Sequence, residues 1–370
     1  MKKNTLFLTL KIFSATGGIE KVCRIVGKVL YENTLVNASG VLVCSMYDHQ
    51  KDANDNKYFP SEIFRGYKKD RLHFILSSIR KGFNQDVILL SHINLLLVGW
   101  MIKKLKPSVK LVMLAHGIEV WGELGWVKKK MLKSCDLILP VSKFTADKII
   151  SGHQYDENNC MVLNNCLDPF MPIGNEFLGN QNLRKKYGYK EEDKVLFTLC
   201  RLSSKERYKG YDKVIQALAK LKNHQNNIKY LLAGSYDKEE KLFLDALISN
   251  FHLENDVKIT GFIDDSELVA HFSMADLYIM PSMKEGFGIV FIEAMFYGVP
   301  VIAGNKDGSV DALMNGELGL LVNPEDVDEI ENAIQKSLLN NQSRFTERRK
   351  MINNFGYEQY KEKLETILLN

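Results

Sequence analysis

Pro281-Ser-Met-Lys-Glu285-Gly-Phe-Gly288-Ile-Val-Phe-Ile-Glu293-Ala-Met-Phe-Tyr-Gly298-Val-Pro300 sets one carboxylate inside an otherwise apolar helix, just after a glycine-rich turn. From Ile289 to Tyr297 every other residue is apolar or aromatic, so the pattern predicts a helix buried nearly all round. A buried carboxylate without a partner costs several kcal/mol. Something polar must therefore meet Glu293, either a ligand hydroxyl or a buried arginine. Gly286 and Gly288, flanking Phe287, let backbone approach a ligand. The helix start at Ile289 and Val290 offers free N–H groups and a positive dipole end to an anion. The ligand reading is a phosphate at the helix start, with hydroxyls taken by Glu285 and Glu293. Gly298 and Pro300 stop the helix and Val299–Ala303 restarts a strand, giving strand, loop, helix, strand.

Outward from this stretch, apolar strand-like runs alternate with helical patterns along the whole chain, as in an α/β protein with parallel sheets. Strands are expected at Thr5–Phe13, Gly40–Ser45, Val87–Ser91, Val109–Ala115 and Leu137–Val141. A second series follows at Lys194–Leu202, Ile228–Ala233, Val257–Thr260, Leu277–Met280 and Val299–Ala303. Two Rossmann-like units are thus expected, 1–170 and 171–355, with a joint near Asp168–Gly174, where prolines and a glycine break the periodicity.

The context Pro-Ser-x-x-Glu-Gly-Phe-Gly-x-x-x-x-Glu-Ala-x-x-x-Gly-x-Pro-Val resembles the signature of the retaining family-4 glycosyltransferases, which have the two-domain GT-B fold. The resemblance implies that Glu293 binds the ribose of a donor nucleotide and that Glu285 contacts the donor sugar. It also implies donor contacts at Gly286, Phe287, Gly288, Ile289 and Val290. Arg201 and Lys209-Gly210 resemble the family's pair of cations for the donor diphosphate. Arginine offers a planar fork and lysine a mobile point charge, suited together to a doubly charged leaving group. The extra residues between them let Lys205 or Arg207 share that role. Gly234 and Phe262 match loops that pack on the base. In the first unit Gly17 and Gly18 match a Gly-Gly turn facing the donor, and His116 matches a histidine beside the reacting sugar; His92 is a further candidate. Cys166 stands where the family has glycine in Asn-Gly-x-Asp. Asp307-Gly308-Ser309, with Asp311 beyond, departs from the usual Gly-Gly and Glu. The last helix, 356–370, is implied to cross back onto the first domain.

Composition bounds the rest. A chain of 370 residues, 45% hydrophobic, is ample for two domains. The most apolar stretch, Val87–Ile102, is broken by Ser91, His92, Asn94 and Gly99, and the apolar run at the start soon meets Lys11; neither is expected to span a membrane. Six cysteines without a Cys-x-x-Cys pair fit reduced core thiols and the cytoplasm. Residues 1–170 hold 24 Lys and Arg against 15 Asp and Glu, so the basic charge sits in the first half. Lys103-Lys104-x-Lys106 and Lys128–Lys130, near three tryptophans, fit an anionic membrane's inner face or a lipid-phosphate acceptor, and equally solvated helix faces. No nucleic-acid motif accompanies the charge, so nucleic acid is not expected as a partner. The sole Asp-x-Asp, Asp326-Val-Asp328, reads as a helix start, so no metal and no other cofactor is expected. The expectation is a transferase moving sugar from a nucleotide donor to a lipid-linked or cell-surface glycan, in capsule, exopolysaccharide or lipopolysaccharide synthesis. The alternatives are a nucleotide-sugar 2-epimerase or hydrolase on the same fold, or a non-catalytic nucleotide-sugar-binding protein.

Overall fold

The computed structural model describes residues 3–37, 39–172, 181–339 and 344–369. The chain divides into two compact units, Met1–Phe170 with Gly356–Asn370, and Met171–Phe355. The first holds β1 (Thr5–Thr9), β2 (Val41–Ser45), β3 (Phe64–Gly66), β4 (Val87–Leu90), β5 (Lys110–Ala115) and β6 (Leu137–Pro140), in the order β3-β2-β1-β4-β5-β6. The second holds β7 (Lys194–Leu199), β8 (Ile228–Ala233), β9 (Val257–Gly261), β10 (Leu277–Met280), β11 (Val301–Gly304) and β12 (Leu320–Val322), in the order β12-β11-β10-β7-β8-β9. Every pairing is parallel. β1, β4, β6, β10 and β11 are buried along their whole length, which is why they read as unbroken apolar runs. Each sheet begins in its middle, grows one way, and returns to grow the other way. The reversal, between β1 and β4 and between β7 and β10, leaves a crevice at the strands' carboxyl ends.

Several boundaries differ from expectation. β1 stops at Thr9 rather than Phe13 because Asp48 takes the next backbone donors: the N–H groups of Ile12 and Ser14 bond its carboxylate at 2.7 and 2.9 Å. β7 ends at Leu199 rather than Leu202, and β11 starts at Val301 rather than Val299. The edge strands β3 and β12, three residues each, are too short for a readable pattern. The joint expected at Asp168–Gly174 runs into Ile173 and Gly174, which lie outside the described residues, as does Asn370.

Helix Tyr211–Leu221 shows how faces are buried: Tyr211, Val214, Ile215, Leu218 and Leu221 fall at helical spacing and are all covered. Each such side chain contributes about 1.5–3 kcal/mol. Helix Tyr357–Leu369 belongs to the first unit. It buries Tyr360, Leu364 and Leu368 and packs on helix Gly18–Asn37. Glu32 of that helix accepts from the Tyr357 hydroxyl and from Lys361, both at 2.8 Å, and pairs with Lys28 at 2.5 Å. Burial works against the Glu32 charge, yet these three partners hold its carboxyl down at about 2. All six cysteines are free thiols. Among the described residues no helix is long and apolar enough to cross a membrane.

Candidate functional site

In the second unit, the loops leaving β7 and β10 meet at the switch point. Met283 N–H donates to Tyr208 O at 2.9 Å. Gly210, at φ 78°, lies so close to the β10 loop that a Cβ there would sit 2.2 Å from Pro281 O. This contact brings the Lys209 ammonium onto the Glu285 carboxylate, with only 15% and 20% of the two side chains exposed. Burial opposes the Lys209 charge, but Glu285 outweighs it and holds the ammonium protonated well above its ordinary range. Lys209 and Lys284 each lie 5.7 Å from the centre of the Tyr208 ring. Behind them the Cys200 thiol is pushed up to about 12, chiefly by burial, which makes it inert as a nucleophile.

The other cations divide sharply. Arg201 stays 68% exposed, touching Glu206 at 3.1 Å. Lys205 is exposed. Arg207 is committed elsewhere: its Nε donates to the fully buried Glu240 at 2.7 Å and its guanidinium lies 3.8 Å from the Phe243 ring centre. Tyr211 hydroxyl donates to the same Glu240 at 2.9 Å, so Arg207 anchors helix Lys238–Asn250.

The β10 loop is pinned by Asp307, which in the sequence stands out only as a departure from a glycine pair. This 1%-exposed carboxylate accepts from Ser282 Oγ and Glu285 N–H at 2.7 Å each and from Ser309 N–H at 2.9 Å. Gly308 N–H returns a bond to Glu285 O at 2.8 Å, and a Cβ on Gly308 would fall 2.0 Å from Gly286 O. Burial raises Asp307 to about 6 despite these bonds. The signal available in the chain is an Asp-Gly pair shortly after a strand, Asp307-Gly308 three residues beyond Gly304.

Gly288 takes φ 83° and opens helix Ile289–Phe296, whose first N–H groups are those of Ile289 and Val290. Glu293 is 6% exposed within that helix, and Phe287 packs edge-on against Phe355 with ring centres 5.4 Å apart. Gly234, at φ 139°, passes close beneath the Cys200 carbonyl, and Phe262 projects 64% exposed after β9. Lys209, Glu285, Gly286 and Gly288 are therefore brought together, Arg201 stands on the same loop as Lys209 and touches Glu206, and Gly234 and Phe262 lie on the loops after β8 and β9. Asp326 caps its own helix through Asp328 and Glu329 N–H at 3.0 Å each, and Asp328 pairs with Lys220.

The first unit's switch point is differently furnished. Gly17 and Gly18 open the helix after β1, in a loop tied by Asp48 and by Arg24 donating to Ile12 O at 2.8 Å. His116, at the end of β5, donates from Nε2 to Ser91 O at 2.8 Å, and its N–H bonds Glu119 at 2.5 Å. His92, after β4, accepts from Asn94 N–H at 3.1 Å; burial lowers its proton affinity, against the pull of Glu119, so its ring is neutral. Asp168 accepts from the Tyr58 hydroxyl and from Phe170 N–H, and Cys166 is buried.

Residues 179–359 match the family described as glycosyl transferases group 1. The chain is similar to a GDP-mannose-dependent alpha-(1-6)-phosphatidylinositol monomannoside mannosyltransferase of Mycobacterium tuberculosis, 32% identical over 248 residues, 64% of this chain and 62% of that one. It is also similar to the capsular polysaccharide biosynthesis glycosyltransferase CapM of Staphylococcus aureus, 28% identical over 207 residues, 56% of this chain and 53% of that one. Sequence similarity thus spans between about half and 62% of these relatives' own length. In three dimensions the HepE protein of Anabaena, crystallised with UDP, superposes with a TM-score of 0.81 at 19% identity over 99% of both chains. The two Rossmann-like sheets are those of the GT-B fold.

Proposed function

We propose that this member of the glycosyl transferases group 1, built on the GT-B fold, is a retaining, metal-independent glycosyltransferase. It moves sugar from a nucleoside diphosphate sugar to a hydroxyl of a lipid-linked or cell-surface glycan. One observation carries the reading: the Lys209–Glu285 contact at the second switch point, with Arg201 exposed on the same loop as Lys209 and a helix start just after Glu285. A cation already held charged, next to a carboxylate that can accept from sugar hydroxyls, is the pairing a diphosphate sugar needs. On donor arrival the Lys209 ammonium turns from Glu285 to the phosphate, and the freed carboxylate takes the sugar. The helix start at Ile289 supports the phosphate, and Glu293 is assigned to the ribose, with Gly234 and Phe262 on the base side. The bond from the anomeric carbon to phosphate oxygen breaks while the acceptor oxygen bonds the same face. The acceptor proton passes to the departing phosphate oxygen, so no separate base is required.

Metal independence is supported by Arg201 and Lys209 as the charge partners and by the prior commitment of both acids, Asp326 as the cap of its own helix and Asp328 in an ion pair with Lys220 of helix Tyr211–Leu221. Gly17, Gly18 and His116 are assigned to the acceptor-side unit. The acceptor class follows the relatives, one named for a phosphatidylinositol mannoside and one for a capsule. Peripheral contact with an anionic membrane is supported by Trp126 and Val127, 76% and 50% exposed, beside Lys128–Lys130.

Thermal shift without added metal, against UDP, GDP, ADP and their sugar conjugates, tests the donor site. A nucleotide at 100 times its dissociation constant should stabilise the wild type by about 2.7 kcal/mol and Lys209→Ala far less. No shift with any nucleotide would sink the reading. Donor consumption without acceptor at full rate would replace it with a hydrolase or epimerase.

A further inference from the structure

We infer that the first unit carries a separate phosphoryl-binding pocket beyond β3. Arg65, Tyr67, Lys68, His73, Ser77 and Lys81 line a cavity of about 400 Å³ at the end of that strand. The local sequence explains its walls. His73, Ser77 and Lys81 are spaced four apart on helix Arg71–Gly82 and so share one face. Opposite them, the segment after β3 is fastened to the β2 loop: Tyr67 N–H bonds Ser45 O, Lys68 N–H bonds Asp48 O and Lys69 N–H bonds Met46 O, at 2.9–3.0 Å. Those bonds hold Lys68 and Lys69 at φ 51° and 68°, a backbone conformation that lysine rarely adopts.

The donors converge without a counter-ion. Lys81 Nζ touches Ser77 Oγ and reaches the Tyr67 hydroxyl at 3.3 Å, and that hydroxyl lies 2.7 Å from Ser77. One Nη of Arg65 is fixed by Glu62 O and Phe64 O at 3.0 and 2.6 Å, which steadies the guanidinium at the rim. Among the described residues no carboxylate lies within ion-pair distance of Arg65, Lys68 or Lys81. Asp70, the one acid on the wall, accepts the His73 N–H at 3.0 Å as the helix cap. Three unpaired cations with two hydroxyls over a small cavity suit a dianionic tetrahedral oxyanion: a phosphate ester or a pyrophosphoryl group. Two sources share that chemistry. A water-soluble phosphate ester is one. A phospholipid headgroup is the other, since Leu72 and Leu76 stand 75% and 68% exposed on the adjoining stripe of the same helix.

The pocket is independent of the donor site, and its test needs no turnover. Histidine-labelled full chain is titrated with glycerol phosphate, the His73 ring resonance being identified through His73→Gln. The resonance should move saturably, and the dissociation constant should rise at least about tenfold in Lys68→Ala/Lys81→Met. Lys68 is exposed and methionine keeps the Lys81 stem, so the variant's unchanged melting temperature serves as the folding control. In a second arm, vesicles of phosphatidylglycerol and of phosphatidylcholine are sedimented with both proteins. Preference for phosphatidylglycerol that the double variant loses identifies a lipid headgroup; equal sedimentation with a His73 response identifies the soluble ester. A His73 resonance that stays still with glycerol phosphate and with phosphatidylglycerol vesicles, or a response unchanged in the double variant, overturns the inference.

Discussion

In the first unit Asp48 takes the N–H groups of Ile12 and Ser14, and in the second Asp307 takes those of Glu285 and Ser309. Both carboxylates are buried to 1% exposure or less, both also hold a serine hydroxyl, and both follow a strand beside the switch point. The same device thus serves both sheets, from opposite sides of the switch point: Asp48 follows the second strand of its unit and Asp307 the fifth. What hangs on it differs: the first carries two paired glycines and histidines bonded to backbone, the second a lysine-glutamate contact with an exposed arginine. Rigidity at these loops comes from one buried acid, and chemistry from the few residues that the acid positions.

Reversing the charge at the second switch point breaks the comparison hardest. Lys209→Glu should lower kcat/KM for donor by about 10²–10³-fold and abolish the nucleotide thermal shift, whereas His116→Ala in the first unit should leave that shift in place. If both abolish it, the division of chemistry between the units is wrong. Asp307→Ala and Asp48→Ala should each cost about 2–3 kcal/mol in urea unfolding, because buried donors lose their acceptor; only Asp307→Ala should also weaken nucleotide binding. Acid sharpens the contrast. Burial raises Asp307 from 3.8 to about 6, so the native carboxyl holds its proton more tightly than the unfolded chain does. Its contribution is then full below pH 4 and is lost as pH rises through 6, by up to about 3 kcal/mol. Unfolding measured at pH 4 and 7 should show wild type losing stability relative to Asp307→Asn over that window. The smallest effect on nucleotide binding is expected from Arg207→Ala. It should destabilise by about 2–3 kcal/mol, since the buried Glu240 carboxylate is left with Tyr211 alone, and change nucleotide affinity less than twofold. A larger loss of affinity would return Arg207 to the diphosphate set.

Much of this was legible in the chain. Buried parallel strands announce themselves as apolar runs, and Glu285-Gly-Phe-Gly288 marks a loop that must approach something. The pinning acids were not legible, because each bonds loop backbone 22 to 36 residues away and nothing in local pattern marks that reach. Spacing favours Lys209 but leaves Lys205 and Arg207 able to share its role. Glu240, buried on a later helix, is what removes Arg207, and a carboxylate in an amphipathic helix reads as solvated. The three-residue edge strands escaped because alternation needs more positions than they have.

Helix Tyr357–Leu369, tied to Glu32, has a consequence for biosynthesis. Its packing surface on helix Gly18–Asn37 is made first and covered last, after the whole second unit has left the ribosome. At 5–20 residues per second the first unit waits roughly 10–40 s for its final apolar layer. Truncating the chain's end should therefore injure the beginning of the protein, leaving its middle to fold unharmed.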